Sequence, residues 1–116
     1  MSAVIHDMHV SEPWFSFIES GLKKIEGKKM SPRWKTIKTG DLIKFFLKED
    51  KFFYVIVKDI RLYPDIESYL VIEGLRNTLP GIKTVEEGIR IYLQYFDIEE
   101  VQKFGIMAIE IEKFYF

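Results

Sequence analysis

Residues 21–28 read GLKKIEGK, a G-x-K-x-x-E-x-K pattern at the junction of two predicted elements. The preceding residues, 13–20, begin with Pro13 and repeat apolar side chains at helical spacing, which predicts a short helix that ends at Gly21. The residues after the glycine alternate around Ile25 and predict a short strand over residues 23–28. The pattern therefore sets a carboxylate and several ammonium groups where a helix turns into a strand.

The side chains of this predicted strand divide between two faces, because successive strand residues point to opposite sides. Lys24, Glu26 and Lys28 then share one face, and Lys23 and Ile25 share the other. If the strand begins only at Lys24, Lys23 lies in the turn and its direction is open. A lysine beside a glutamate in a cleft holds a polar or anionic ligand, or becomes a base when burial lowers its pKa. The alternative is an ordinary exposed ion pair, worth ~0–1 kcal/mol.

Further along the chain, the pattern predicts a loop and three more strands. Residues 30–39 are polar and irregular, and Thr39-Gly40-Asp41 is typical of a turn. A short apolar run with one lysine predicts a strand over residues 42–47. Alternating side chains predict strands over residues 52–62, which are rich in aromatic and β-branched residues, and over residues 105–114.

Candidate N-cap residues predict two further helices. Asp65 precedes a predicted helix over residues 66–73, and Thr84 precedes one over residues 85–96, with Glu87 at the capping-box position. Several strands with a few helices in a short chain predict the α+β class. A small curled sheet or barrel with helices at its ends satisfies this order.

Charge is segregated along the chain although the net charge is only −1. Between Leu22 and Lys44 there are eight bases and two acids, whereas the remainder has nine bases and sixteen acids. A basic segment on a near-neutral chain indicates a local anion site rather than a surface that coats a bulk polyanion. The alternative is that these lysines simply solvate an exposed loop.

Length and composition narrow the class of protein. The 116 residues fit a single domain over residues 1–116. The absence of cysteine excludes disulfides, cysteine zinc sites and a cysteine nucleophile. His6 and His9 are expected in solvent, so no metal and no cofactor is predicted. Without a signal-peptide pattern or an apolar run of ~18 residues, we expect a cytoplasmic protein that does not engage a membrane.

A second signature, IKTGDLI over residues 37–43, follows the first. Together they resemble the ASCH domain, a member of the PUA-like superfamily, whose pattern is G-x-K-x-x-E-x-R followed by a K-x-G-D turn that enters a strand. Leu79-Pro80-Gly81, the predicted helix after Thr84 and the GIMAI strand at residues 105–109 also resemble that family. The resemblance covers residues 8–113. It implies a small β-barrel of five to six strands with flanking helices and a cleft lined by the motif.

The resemblance also implies a function. PUA-like domains bind RNA or modified bases, and some ASCH proteins remove the acetyl group from N4-acetylcytidine. In that amidohydrolase branch the motif lysine is the base, and Lys23 matches it. Glu26 matches the ASCH glutamate but stands where the amidohydrolase branch has its threonine nucleophile, and Lys28 stands where most members have arginine. No glutamate aligns cleanly with the acid of that branch; Glu73 lies nearest.

Aromatic residues among the cations suit stacking on bases beside phosphate contacts. Trp34, between Arg33 and Lys35, either contacts a ligand or packs beneath the loop against the apolar interior. The candidate catalytic residues are Lys23 and Glu26, and the candidate ligand- or RNA-binding residues are Trp14, Gly21, Lys24, Lys28, Lys29, Arg33, Trp34 and Lys35.

Three functional hypotheses result. The leading one is binding of RNA or a modified nucleoside in the cleft. The second is an N4-acetylcytidine-type amidohydrolase in which Lys23 is the base and Glu26 places a water molecule. The third is a non-catalytic protein-interaction module, which the near-neutral charge and the apolar C-terminus permit. A filled cleft, with Lys23 and Glu26 in solvent, would favour that third hypothesis.

Overall fold

The computed structural model describes residues 3–116. Over these residues the chain forms five strands and five helices, in the order β1 (Ile5–His9), α1 (Trp14–Glu19), β2 (Ile25–Lys29), β3 (Leu42–Lys48), β4 (Lys51–Tyr63), α2 (Ile66–Glu73), α3 (Leu75–Thr78), α4 (Val85–Tyr92), α5 (Ile98–Phe104) and β5 (Ile106–Phe114).

The strands form one curled sheet in the order β1-β3-β4-β5-β2. Strand β1 runs parallel to β3, and the other three neighbouring pairs are antiparallel. A register shift between Val57 and Asp59 interrupts the long β4–β5 pairing. The result is a five-stranded half-barrel with flanking helices, which confirms the predicted α+β class and the predicted curled sheet.

Alternation along the strands explains the core. In β4, Phe53, Val55 and Val57 are buried, and the residues between them are at least partly accessible. These side chains belong to a first apolar cluster with β1, α1 and β3, while a second cluster forms between β2, β5 and α2 to α5. Trp14 packs against both clusters. The N-terminus of α1 therefore lies where the two clusters meet.

The predicted turns and caps largely occur where the sequence places them. Gly21, just after α1, has φ +85°, and Gly40 has φ +93°, a left-handed conformation that glycine adopts without strain. Helix α2 begins after Asp65, whose carboxylate accepts from the Ser68 amide at 2.7 Å. Helix α4 begins after Thr84, whose hydroxyl accepts from the Glu87 amide.

Several elements depart from the sequence predictions. The helix predicted over residues 85–96 ends at Tyr92, and Asp97 caps the separate helix α5 by accepting from the Glu99 amide at 2.8 Å. Strand β1 went unpredicted because its residues are mostly polar and only Met8 is buried. The short helix α3 was also missed. His6, expected in solvent, is half-buried and lies 2.9 Å from the Asp41 carboxylate.

Within residues 3–116, none of the helices combines the length and apolar character needed to cross a membrane.

Candidate functional site

A cavity of about 210 Å³ lies beside the G-x-K-x-x-E-x-K motif, between the chain that joins β1 to α1 and the C-terminal half of α4. Most of its lining is apolar or aromatic, with charged groups contributed by the motif. The lining residues are His9, Val10, Ser11, Trp14, Lys23, Glu26, Gly27, Lys28, Leu79, Ile91, Tyr92, Tyr95 and Phe96.

Lys23 is buried inside this site, with only 2 % of its surface exposed. It precedes β2, and its backbone amide bonds to Phe17 O at 2.9 Å, so it lies in the turn after α1. Its Nζ donates to Ile25 O at 2.7 Å and to Thr78 O. Burial lowers the pKa of Lys23, because the ammonium form is poorly solvated there.

Among residues 3–116, Glu26 supplies the only carboxylate that lines the cavity. Its Oε1 lies 3.6 Å from Lys23 Nζ and accepts from the Gly27 amide at 3.0 Å. No group in residues 3–116 donates to its Oε2. The pair therefore combines a confined amine with a carboxylate that has an acceptor oxygen to spare.

Aromatic side chains form the walls of the cavity. The Trp14 ring centroid lies 6.0 Å from Lys23 Nζ. Tyr92, which also lines the cavity, stacks on Phe96, with ring centroids 5.7 Å apart. Tyr95 Oη lies 3.2 Å from Ser11 Oγ, an exposed hydrogen bond between two lining residues. Such walls suit a flat, partly apolar ligand.

The basic segment adjoins the cavity through Lys28. Lys28 lines the cavity, and its Nζ lies 5.6 Å from the Trp34 ring centroid. The guanidinium carbon of Arg33 lies 4.4 Å from the same ring. Trp34 itself is half-buried and packs against the first apolar cluster, so it anchors the loop and also holds two cations. Arg33 and Lys35 are exposed beside it.

The sequence profile of the ASCH domain matches residues 8–114. The chain belongs to the ASCH family. ASCH domains are in general RNA-binding or amidohydrolase-like. Among curated proteins, none matches the sequence.

Three solved structures resemble this ASCH domain. The crystal structure of hypothetical protein PH0355 is 40 % identical, with a TM-score of 0.89 over 96 % of this chain and 100 % of that one. The solution structure of protein PF0455 from Pyrococcus furiosus is 39 % identical, with a TM-score of 0.81 over 97 % of this chain and 100 % of that one. The ZmASCH S128A mutant protein from Zymomonas mobilis is 13 % identical, with a TM-score of 0.65 over 93 % of this chain and 67 % of that one, and shares the fold.

Several candidate residues of the motif segment do not line the cavity. Gly21 and Lys24 line a second, open groove of about 930 Å³, and Lys23 lines both the groove and the cavity. Because β2 begins at Ile25, Lys24 does not share a strand face with Glu26 and Lys28. Lys29 Nζ lies 2.6 Å from Glu100 Oε2 on α5, so its charge is paired.

Glu73, the nearest candidate for the acid of the amidohydrolase branch, lies in the groove rather than in the cavity. Its carboxylate accepts from Arg61 at 2.7 and 2.9 Å and from the Tyr63 hydroxyl. These contacts, the Arg61 bonds above all, lower the pKa of Glu73. It is therefore an ion-paired carboxylate that does not line the cavity.

Sequence reasoning missed the wall that α4 contributes. Tyr92 and Phe96 repeat at helical spacing, a pattern that usually indicates a helical face packed in the interior rather than a ligand site. Tyr95 and His9 carried no motif. The signal available was the cluster of aromatic residues at 92, 95 and 96, next to a predicted helix end. In residues 3–116 no three His, Cys, Asp or Glu side chains lie close enough to hold a metal ion.

Proposed function

We propose that this ASCH domain binds single-stranded RNA or a modified nucleoside, with a base in the cavity and the sugar–phosphate backbone on the basic segment. The observation that carries the proposal is the continuity of the two surfaces. Lys28 lines the cavity and also contacts Trp34, next to Arg33. A base inserted between aromatic walls therefore leaves its phosphate near several cations.

The size and chemistry of the cavity support a ligand of this kind. Its volume of about 210 Å³ is below the roughly 300–1,000 Å³ of sites for drug-sized ligands. Unstacked bases are recognised by aromatic stacking and by hydrogen bonds to their edges, and Trp14, Tyr92 and Glu26 offer both. The proposed third function, a protein-interaction module, has less support, because Lys23 and Glu26 are buried beside a cavity rather than in solvent.

The RNA proposal is tested by fluorescence anisotropy with labelled single-stranded RNA of mixed sequence. We expect binding that weakens with salt, with a log–log slope of about −0.7 for each phosphate contact. The double variant R33E/K35E should bind at least ~10-fold more weakly, because it reverses two charges beside the cavity.

The matched control is K48E/K51E, which makes the same change in net charge at the β3–β4 turn. It should bind RNA as the unmodified chain does. Equal weakening in both double variants would mean that only the overall charge matters. RNA binding that changes neither with salt nor in either double variant would contradict the proposal.

A second candidate function is hydrolysis of N4-acetylcytidine, and the burial of Lys23 is the observation that favours it. With its pKa lowered, a neutral amine would donate its two N–H groups to Ile25 O and Thr78 O and keep a lone pair. That lone pair would accept a proton from a water molecule held by Glu26. The hydroxide would add to the acetyl carbonyl, the C–N bond would break, and the proton would pass to the departing cytidine nitrogen, giving acetate and cytidine.

This second function is tested by incubating the protein with N4-acetylcytidine and following cytidine by chromatography. Release by the unmodified chain, and none by K23A, would establish the amidohydrolase. E26Q should retain nucleoside binding but lose most of the hydrolysis rate, because a neutral amide cannot orient the attacking water molecule as a charged carboxylate does. No release, together with saturable binding of the nucleoside, would leave RNA or nucleoside binding as the function.

A further inference from the structure

Two tyrosines meet at the wall of the cavity. Tyr69 Oη and Tyr92 Oη are 2.7 Å apart, and the rings cross edge to face with centroids 5.4 Å apart. Tyr69 is wholly buried, with 0 % of its surface exposed, whereas Tyr92 lines the cavity. Burial raises the pKa of both hydroxyls, so both keep their protons.

The direction of this hydrogen bond follows from burial. Within residues 3–116, the Tyr69 hydroxyl has one hydrogen-bond partner, the Tyr92 hydroxyl. If Tyr92 donated to Tyr69, the Tyr69 proton would be left without an acceptor in a dry site, which is unfavourable. Tyr69 therefore donates to Tyr92. The Tyr92 hydroxyl then keeps its own proton for an acceptor in the cavity.

Gly27 brings this hydroxyl next to Glu26. A Cβ at Gly27 would lie 2.6 Å from Tyr69 Oη, closer than such atoms approach, and 3.0 Å from Tyr92 Oη, an unusually tight contact. The absence of a side chain therefore lets both hydroxyls rest against the motif strand. Glu26, the preceding residue, offers Oε2 as an acceptor. The cavity lining thus includes one hydroxyl donor and one carboxylate acceptor.

We infer that the Tyr92 hydroxyl is a specificity-determining donor that, with Glu26 as acceptor, reads the edge of a nucleobase carrying an amino group beside a ring nitrogen. This inference rests on the proposed function. The ring nitrogen accepts from Tyr92, and the amino group donates to the Glu26 carboxylate. Cytosine and adenine have this edge. Tyr69 is a positioning residue, because its hydrogen bond turns the Tyr92 proton toward the ligand.

The hydroxyl arrangement is tested first without a ligand, by NMR of protein labelled at tyrosine Cζ in an equal mixture of H2O and D2O. A hydroxyl that exchanges slowly gives two Cζ signals, and one that exchanges rapidly gives a single signal. We expect a single signal for Tyr92, whose proton faces the cavity, and two for Tyr69. Two signals for Tyr92 in the free protein would show that Tyr69 holds its proton, which would overturn the inference.

Recognition is tested by titrating cytidine and adenosine against 3-deazacytidine and 1-deazaadenosine, which lack the ring nitrogen but keep the amino group. We expect the unmodified chain to bind at least one parent nucleoside about 10-fold more tightly than its deaza partner. Y92F should bind that parent about 10-fold more weakly and lose the discrimination between parent and analogue. Y69F should keep most of the affinity but show a smaller discrimination.

Tyr54, outside the cavity, provides the control variant Y54F, which should bind and discriminate as the unmodified chain does. Discrimination that persists in Y92F would overturn this inference while leaving the proposed function intact. RNA binding without binding of either parent nucleoside would do the same. No binding of RNA or nucleoside by the unmodified chain would overturn both.

Discussion

Lys23 and Arg61 are two cations held inside the same fold by opposite kinds of surroundings. Arg61, in the groove, is bonded to the carboxylates of Glu73, Asp59 and Glu110 at 2.7 to 3.0 Å, and its pKa is raised. Lys23, in the cavity, has two carbonyl partners and one carboxylate at 3.6 Å, and its pKa is lowered. A cation that is fully paired with carboxylates stabilises the fold. A buried cation with few anionic partners, beside a cavity, is available to a ligand or a reaction.

The largest effect that this comparison predicts is on stability and comes from the groove. R61M should lower the free energy of unfolding by about 3 kcal/mol, because the Glu73 side chain is only 7 % exposed and would lose its cationic partner and keep only the Tyr63 hydroxyl. Nucleoside binding should not change, since Arg61 lies outside the cavity. Urea denaturation and the cytidine titration measure the two quantities. A loss of affinity in the folded variant would show that the groove and the cavity are not independent.

A slightly smaller effect is expected at the cavity itself. G27A should destabilise the protein by about 2 kcal/mol, because the added Cβ overlaps the hydroxyls of Tyr69 and Tyr92. The control is G40A, where nothing lies within 4 Å and only the positive φ resists a side chain, for a loss of about 1 kcal/mol. Unfolding curves of the two variants side by side measure the difference. Equal losses would mean that the tyrosine pair moves aside freely.

The pH dependence of stability should differ between the groove, through Glu73, which pairs with Arg61, and the cavity, through Lys23. The pKa of Glu73 is lowered in the fold, so its contribution is present above its ordinary value of 4.5 and is lost as pH falls through the folded value. The pKa of Lys23 is lowered from 10.5, so the unfolded chain binds more protons in the alkaline range and the Lys23 contribution rises with pH.

The measurement is the urea midpoint of the unmodified chain and of K23M from about pH 6 to about pH 9. The stability difference between the two should shift in favour of the unmodified chain as pH rises. A difference that stays constant across this range would mean that Lys23 titrates in the fold as it does in the unfolded chain.

The smallest effect concerns two lysines of the motif. K28A should weaken RNA binding ~5-fold, equivalent to ~1 kcal/mol, because Lys28 lines the cavity and joins it to Trp34. K24A should leave the affinity unchanged, because Lys24 lies in the groove. Anisotropy titrations at one salt concentration compare them directly. Equal weakening by K24A would place the bound RNA on the groove side of the motif.

Local signals made much of the fold predictable. Asp65 and Thr84 cap the helices they were expected to cap, and the alternation of Phe53, Val55 and Val57 gave β4 its buried face. Strand β1 could not be predicted in this way, because its pairing with β3 is a tertiary contact and its own residues are polar. The break between α4 and α5 was missed because apolar spacing continues through Tyr92 and Phe96.

The site was predictable only in part for a similar reason. The motif identified Lys23 and Glu26 as a pair, and the structure brings them to 3.6 Å from one another. Alternation along a strand wrongly grouped Lys24 with Glu26, because the strand starts one residue later than Lys24. Tyr92 meets Gly27 from 65 positions away in the sequence, and no local pattern reports such a contact.

The pairing of β2 with β5 has a consequence for how the protein is made. Gly27 lies opposite Ala108, and Lys23 is held by Thr78, so both sides of the motif depend on residues that are synthesised much later. Domains fold as their segments emerge during translation, and contacts between distant segments form late. A nascent chain in which β5 is still inside the ribosome therefore lacks the pairing that holds β2 in place. We expect ligand binding to begin only after β5 has emerged.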